Sequence, residues 1–138
     1  VQPSSKYKDV IYCNSEKFCD IDCKHSNTKY NVIYDDFSKT WLVINEEGYV
    51  VIIKQDGTFD KFKLNDEIEV LVKNIRYVKG NIYIPNDGCL WIISVKDQFK
   101  CKKMECHKFM TSASRICKVD RNGFTVVTDG KLYVIRRG

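Results

Sequence analysis

The chain has 138 residues, of which 43% are hydrophobic and 30% charged, as expected for one folded domain rather than a disordered chain. Its longest uninterrupted apolar stretch, Tyr49–Ile53, is too short to span a membrane. The formal net charge of +5 is uneven: residues 1–69 hold 9 Lys/Arg against 13 Asp/Glu, whereas residues 70–138 hold 14 against 5. The basic second half favours an acidic partner, such as an acidic protein face or a sulfated glycan.

Residue usage predicts an all-β protein. The chain has 14 Ile but only five Leu and one Ala, so good helix formers are scarce and strand formers are abundant. Lys outnumbers Arg by 18 to 5. This bias is typical of A/T-rich genomes, such as those of large DNA viruses and protozoan parasites.

The N-terminal region, taken first in chain order, divides into two predicted parts. Residues 1–14 lack an initiator Met and an apolar core, so we expect that no signal peptide remains, and they contain one predicted strand at Lys8–Cys13. Residues 15–28 are polar and Cys-rich, which predicts a loop stapled by cysteines.

An internal repeat organises the rest of the chain into units at residues 29–66, 67–108 and 109–138. Each unit has two apolar runs joined by a few polar residues that end in glycine, at Gly48, Gly88 and Gly130. Because glycine takes the positive φ that tight turns need, each pattern predicts a β-hairpin.

Further strands flank these hairpins. One is predicted upstream of each, at Lys29–Asp36, Val72–Lys79 and Arg115–Asp120. One more follows each of the first two hairpins, at Thr58–Leu64 and Phe99–Cys106. The first two units therefore read as four short antiparallel strands.

Four strands in about 40 residues resemble one blade of a β-propeller, so the resemblance implies three blades. The third unit lacks an outer strand, which Lys8–Cys13 would supply. Three blades make a tight ring, so we expect a homodimer that completes a larger one. The alternative fold is a cysteine-stapled β-sandwich or barrel.

Seven cysteines in so short a chain indicate a disulfide framework in an oxidising compartment. Pairing Lys96 with Phe99 across a tight loop would place Cys89 opposite Cys106, so these two are predicted to bond. Two more bridges would join Cys13, Cys19, Cys23 and Cys117, which leaves Cys101 over. Zinc is the alternative, with candidate ligands Cys19, Cys23, His25, Cys106 and His107.

Catalytic patterns are weak in this sequence. Cys106 and His107 are adjacent on a predicted strand and so point to opposite faces, which is unfavourable for a nucleophile and its base. The acidic pairs Asp35-Asp36 and Glu46-Glu47 lie in predicted turns, where solvated charge is expected. We therefore expect no enzymatic activity and no cofactor.

The candidate binding residues are basic and cluster in the second half: Lys100, Lys102, Lys103, Lys108, Arg115, Arg136 and Arg137. The leading hypothesis is a secreted or virus- or parasite-surface protein that mediates protein–protein interaction. A glycan-binding, lectin-like propeller is the first alternative, and a zinc-containing binder of nucleic acid or protein is the second. Nucleic acid is not the partner we favour, since most of the charge is lysine.

Overall fold

The computed structural model describes residues 29–106 and 109–136. These residues form eleven strands in three antiparallel sheets of four, four and three strands, and no α-helix occurs among them. The all-β prediction is therefore confirmed. The predicted N-terminal strand at Lys8–Cys13 and the loop at residues 15–28 lie outside the described residues.

The strands of each sheet follow one another in the chain. Sheet I contains β1 (Tyr30–Asp35), β2 (Thr40–Asn45), β3 (Tyr49–Ile53) and β4 (Phe59–Lys63). Sheet II contains β5 (Arg76–Val78), β6 (Asn81–Asn86), β7 (Cys89–Ser94) and β8 (Lys100–Glu105). Sheet III contains β9 (Arg115–Asp120), β10 (Gly123–Thr128) and β11 (Lys131–Arg136).

The three predicted central hairpins are present, and glycine shapes the turn of each. The φ angles are 87°, 74° and 73° at Gly48, Gly88 and Gly130. Residues with a Cβ atom adopt such angles only at a cost in conformational energy. A buried polar residue ends the first strand of each hairpin: Asn45, Asn86 and Thr128. The repeat seen in the sequence is therefore also a repeat of three-dimensional structure.

Sheet II lies between the other two sheets. Its side chains at Ile82, Ile84 and Ile93 belong to a buried cluster with Leu42 and Ile44 of sheet I. Alternate residues of sheet II point the other way, because successive strand side chains face opposite sides. On that second side, buried Tyr83 and Leu90 pack with the sheet III residues Ile116, Phe124 and Val126.

Asparagine side chains form hydrogen bonds with the segment that connects sheets I and II, residues 64–75. The Asn86 side chain both accepts from the backbone N–H of Glu69 (2.9 Å) and donates to its carbonyl oxygen (2.8 Å). Nearby, the amide of Asn31 donates to the Val72 carbonyl at 2.8 Å, and that of Asn74 to the Ser112 carbonyl at 2.9 Å. This segment thereby contacts sheet I, sheet II and the loop that precedes sheet III.

The strand predicted at Val72–Lys79 is only partly correct. Val72–Asn74 forms a short 3-10 helix, and β5 covers only Arg76–Val78. Val72 and Asn74 are both buried, one in the core between sheets I and II and the other bonded to Ser112. In a strand, Val72 and Asn74 would both point to the same face of sheet II. The 3-10 turn instead allows them to reach these two different partners.

The predicted register between β7 and β8 is wrong by one residue. Cys89 faces Glu105 rather than Cys106, and Ser94 faces Lys100. The connecting turn is longer than expected, because Gln98 and Phe99 adopt positive φ angles of 53° and 60°. Phe99 leaves the strand to pack on Phe62 of sheet I, with 4.8 Å between ring centroids.

Candidate functional site

A cleft of about 650 Å³ opens on the side of sheet II that also contacts sheet III. Tyr83 and Ile92 contribute apolar lining, and both belong to or pack against the core between these sheets. Beside them, Asn81 and Ser94 add polar groups to the lining. The cleft therefore combines an apolar floor with hydrogen-bonding groups, the mixture typical of ligand pockets.

Three of the predicted binding residues, Lys100, Lys102 and Lys103, line this cleft. Lys100 and Lys102 lie opposite Ser94 and Ile92 and therefore share one face of the sheet. Lys103 faces the other way, where its ammonium group lies 3.6 Å from Glu105. The lining also includes one acidic residue, Asp97. Three lysines and one aspartate leave the lining with a net positive charge.

The remaining predicted binding residues do not join the cleft. Arg115 and Arg136 belong to sheet III, at the start of β9 and the end of β11. Both side chains are exposed. Lys108 and Arg137 lie outside the described residues. The basic set is therefore split between at least two surfaces.

The two outer sheets expose apolar side chains on the faces that turn away from sheet II. On sheet I we name this the aromatic face: Tyr30, Val32, Tyr34, Trp41 and Phe59, which are 37–53% exposed and surround the buried Val43, Val51 and Ile53. Tyr34 and Trp41 contact each other with 4.9 Å between ring centroids. Tyr49, Lys61 and Lys63 lie on the same side of sheet I, and the Lys61 ammonium is 4.9 Å from the Tyr49 ring centroid, so this surface is aromatic and basic.

The corresponding surface of sheet III is aliphatic and basic. We name it the aliphatic face: Leu132 and Val134, which are 65% and 61% exposed, with Arg115, Lys118 and Arg136. Strand pairing places these residues on one side of the sheet, because Leu132 and Arg115 both flank Val127, and Val134 and Lys118 both flank Thr125. Two of the predicted binding residues thus border an exposed apolar surface.

Sequence reasoning found the basic residues but not these two faces. The signal was present, since Tyr30, Val32 and Tyr34 alternate along β1 with period 2. Alternation shows that residues share a face, but it does not show whether another sheet covers that face. Only the order of the three sheets identifies the outward sides.

Asp35 was expected to be a solvated turn residue, and this prediction is wrong. Its side chain is fully buried at the end of β1, where it accepts from the Ser38 backbone N–H (3.0 Å) and hydroxyl (2.6 Å). The Tyr77 hydroxyl of sheet II also donates to it. Burial opposes ionisation of this carboxyl, but the bonds from Ser38 and Tyr77 hold its pKa below the ordinary value.

The described cysteines, Cys89, Cys101, Cys106 and Cys117, are free thiols, including the pair predicted to bond. Burial raises the pKa of Cys89, Cys101 and Cys106, and for Cys106 the neighbouring Cys89 adds to this effect. Protonated thiols are poor nucleophiles. A Cys89–Cys106 bridge remains a prediction for oxidised protein, and the other bridge partners, Cys13, Cys19 and Cys23, lie outside the described residues.

Within the described ranges, no three His, Cys, Asp or Glu side chains are placed to hold a metal ion. The zinc hypothesis depends on Cys19, Cys23, His25 and His107, which are not among the described residues. In the same part of the chain, no helix has the length and hydrophobicity to cross a membrane.

Comparison with known proteins adds no family to this description. No protein-family model matches the sequence, and searches of curated proteins and of solved structures give no match either. Any function must therefore be inferred from the residues and geometry of this chain.

Proposed function

We propose that this protein is a non-enzymatic protein-interaction module that acts on a cell or virion surface after export. In this proposal the three sheets are consecutive blades of a propeller-like arc, and two copies complete the ring as a homodimer. The face-to-face order of sheets I, II and III and the 40-residue repeat support the arc. The predicted strand at Lys8–Cys13 would cover the edge of sheet III.

The observation that carries this proposal is the distribution of exposed apolar side chains. Among the described residues, all eight large hydrophobic side chains that are exposed belong to sheets I and III or to the β1–β2 turn. Sheet II, which is covered on both sides, contributes none. Contiguous exposed apolar surface on a soluble protein marks interaction sites, so both ends of the stack are suited to bind protein.

Replacing Val32 and Trp41 together with threonine is expected to abolish self-association. Both side chains are about half exposed, at 50% and 48%, and threonine keeps strand propensity, so the fold should persist. In sedimentation velocity, we expect wild-type protein at twice the chain mass of 16.1 kDa and the variant at the chain mass.

The matched control is Phe37→Thr, which removes a 65% exposed ring from the β1–β2 turn, outside the aromatic face. This ring contacts Lys96, whose ammonium lies 4.9 Å from the centroid, and so turns toward sheet II. The control should dimerise like wild type. A wild-type protein that stays monomeric at every concentration would contradict the proposed assembly.

Glycan binding is a second candidate because the cleft on sheet II is lined by Lys100 and Lys102. Neither ammonium has an ion-pair partner among the described residues, so both are available to sulfate or carboxylate groups. We expect retention on a heparin column to fall clearly in the variant Lys100→Ala with Lys102→Ala. The control variant, Lys29→Ala with Lys39→Ala, removes the same charge next to the strands of sheet I. An equal loss of heparin retention in that control would show that net charge alone, and not the cleft, determines binding.

A further inference from the structure

Five polar side chains face the cleft on sheet II, and all five line it. Strand pairing places Asn81, Ser94 and Lys100 in one row across β6, β7 and β8. Tyr83 and Lys102 belong to the next row on the same face, two residues further along their strands. The sheet therefore brings two cations and three neutral polar groups to one concave surface.

Within the described ranges, the fold itself uses none of these five polar groups. No other described residue forms a hydrogen bond or ion pair with their amide, hydroxyl or ammonium groups. By contrast, the buried asparagines Asn45, Asn74 and Asn86 all form hydrogen bonds with backbone groups. Polar side chains in folded proteins usually have partners when water is excluded, so unpaired groups that converge on one cleft indicate a ligand site.

Tyr83 is the most deeply placed of the five. Its side chain is only 3% exposed, and its ring makes a T-shaped contact with Phe124 at 5.5 Å between centroids. Its hydroxyl bonds to no described residue, yet that oxygen is not enclosed in the core. Because an enclosed, unpaired hydroxyl would cost free energy and Tyr83 lines the cleft, its hydroxyl opens into the cleft.

The types of polar group determine which ligand fits. Asparagine, serine and tyrosine side chains both donate and accept hydrogen bonds, as the hydroxyl groups of a sugar do. Lys100 and Lys102 supply positive charge for one acidic group. Asp97, whose backbone carbonyl accepts the Lys100 N–H at 3.0 Å, adds a carboxylate to the lining. This carboxylate can accept from a hydroxyl and disfavours a second anionic group.

We infer that the cleft binds one acidic sugar residue, with its acidic group at the two lysines and its hydroxyl groups at the three neutral side chains. The inference rests on the glycan-binding candidate and specifies its ligand as a single acidic sugar rather than a polysulfated chain bound through charge alone. Ile92 and Met104 provide apolar lining for the C–H groups of the sugar ring. The volume of about 650 Å³ is in the range of small-molecule sites.

Titration of isotope-labelled full-length protein with four probes tests the ligand class. Glucuronate and glucose 6-sulfate carry one acidic group and several hydroxyl groups, whereas glucose lacks the acidic group and hexanoate lacks the hydroxyl groups. We expect saturable shifts of the backbone amide signals of β6, β7 and β8 with an acidic sugar, and binding weaker by about tenfold or more with glucose and hexanoate. Equal binding of either comparison probe would overturn the inference.

The variant Asn81→Ala with Ser94→Ala removes two neutral polar groups and leaves every charge in place. Neither side chain bonds to another described residue, so the melting temperature should stay near that of wild type. Binding of the acidic sugar should weaken by about tenfold or more. The control, Asn122→Ala with Thr125→Ala, removes an amide and a hydroxyl outside the cleft lining and should bind like wild type. Unchanged binding in the first variant would overturn the inference.

The heparin column separates this inference from the glycan-binding candidate. The variant Asn81→Ala with Ser94→Ala should be retained like wild type, because its net charge is unchanged. If Lys100→Ala with Lys102→Ala loses retention but no acidic sugar shifts the signals of sheet II, the glycan-binding candidate stands and the inference is overturned. If the lysine variant loses no more retention than its own control, the candidate is contradicted, and the inference with it.

Discussion

Replacing Gly123 with alanine is expected to destabilise the protein by about 3 kcal/mol or more, which is a large part of the stability of an ordinary domain. Gly123 begins β10 with a φ angle of +152°, and a Cβ atom there would lie 1.9 Å from the Ile135 carbonyl oxygen. That oxygen belongs to the backbone of β11 and cannot rotate away. The variant must therefore separate β10 from β11 at their paired residues Gly123 and Arg136.

Gly130→Ala is the matched control for this substitution. Gly130 also has a positive φ angle, +73°, but no atom lies within 4 Å of its added Cβ. Only the strain of a left-handed residue remains, about 1–2 kcal/mol. Thermal unfolding should give a decrease in Tm roughly twice as large for Gly123→Ala as for Gly130→Ala. Equal decreases would mean that backbone conformation, and not the contact with Ile135, limits position 123.

The hairpins were predictable from sequence because their determinants are local. A glycine after polar residues, between two apolar runs, specifies a tight turn wherever the chain folds. The four-stranded character of the first two sheets followed from the same short-range pattern. The third sheet has three strands among the described residues, and the strand predicted to complete it, Lys8–Cys13, lies outside them.

The register of β8 and the burial of Asp35 were not predictable, because distant contacts determine them. Phe99 lies in the β7–β8 turn since it packs on Phe62 of another sheet, and this shifts every later pair by one residue. Asp35 looks like its solvated neighbour Asp36 in the sequence. It is buried because Tyr77, 42 residues away, brings a hydroxyl to it. No local pattern contains either partner.

For the candidate surfaces, too, the local features were predictable from sequence and those set by distant contacts were not. Alternation along β8 places Lys100 and Lys102 on one face, and this is visible in the sequence. The cleft beside them is lined by residues of β6, β7, β8 and the β7–β8 turn, and its shape is not visible in the sequence. The outward position of Trp41 likewise depends on sheet I being at the end of the stack.

Replacing Tyr77 with phenylalanine is expected to cost about 2 kcal/mol at neutral pH, the range for a hydrogen bond to a charged group. The hydroxyl of Tyr77 joins sheet II to the buried Asp35 carboxylate of sheet I. Phenylalanine fills the same space but leaves this carboxylate with Ser38 as its remaining side-chain donor. Urea unfolding gives the difference in free energy of unfolding directly.

The pH dependence of that difference distinguishes the bond from simple packing. Burial and the hydrogen bond to Asp35 raise the pKa of Tyr77 from 10.0 to about 12, so the folded state favours the protonated phenol. Its stabilisation is therefore complete below pH 10 and declines as the pH rises toward 12. The pKa of Asp35 is lowered from 3.8, so its contribution is complete above that value and declines as the pH falls below it.

The wild-type advantage over Tyr77→Phe should therefore form a plateau from about pH 5 to pH 10 and decrease on both sides. Tyr30→Phe is the control, because this half-exposed ring lies on the aromatic face, away from Asp35. It should show no such plateau. An advantage of Tyr77 that stays constant through pH 12 would mean that its hydroxyl does not act through the titrating bond to Asp35.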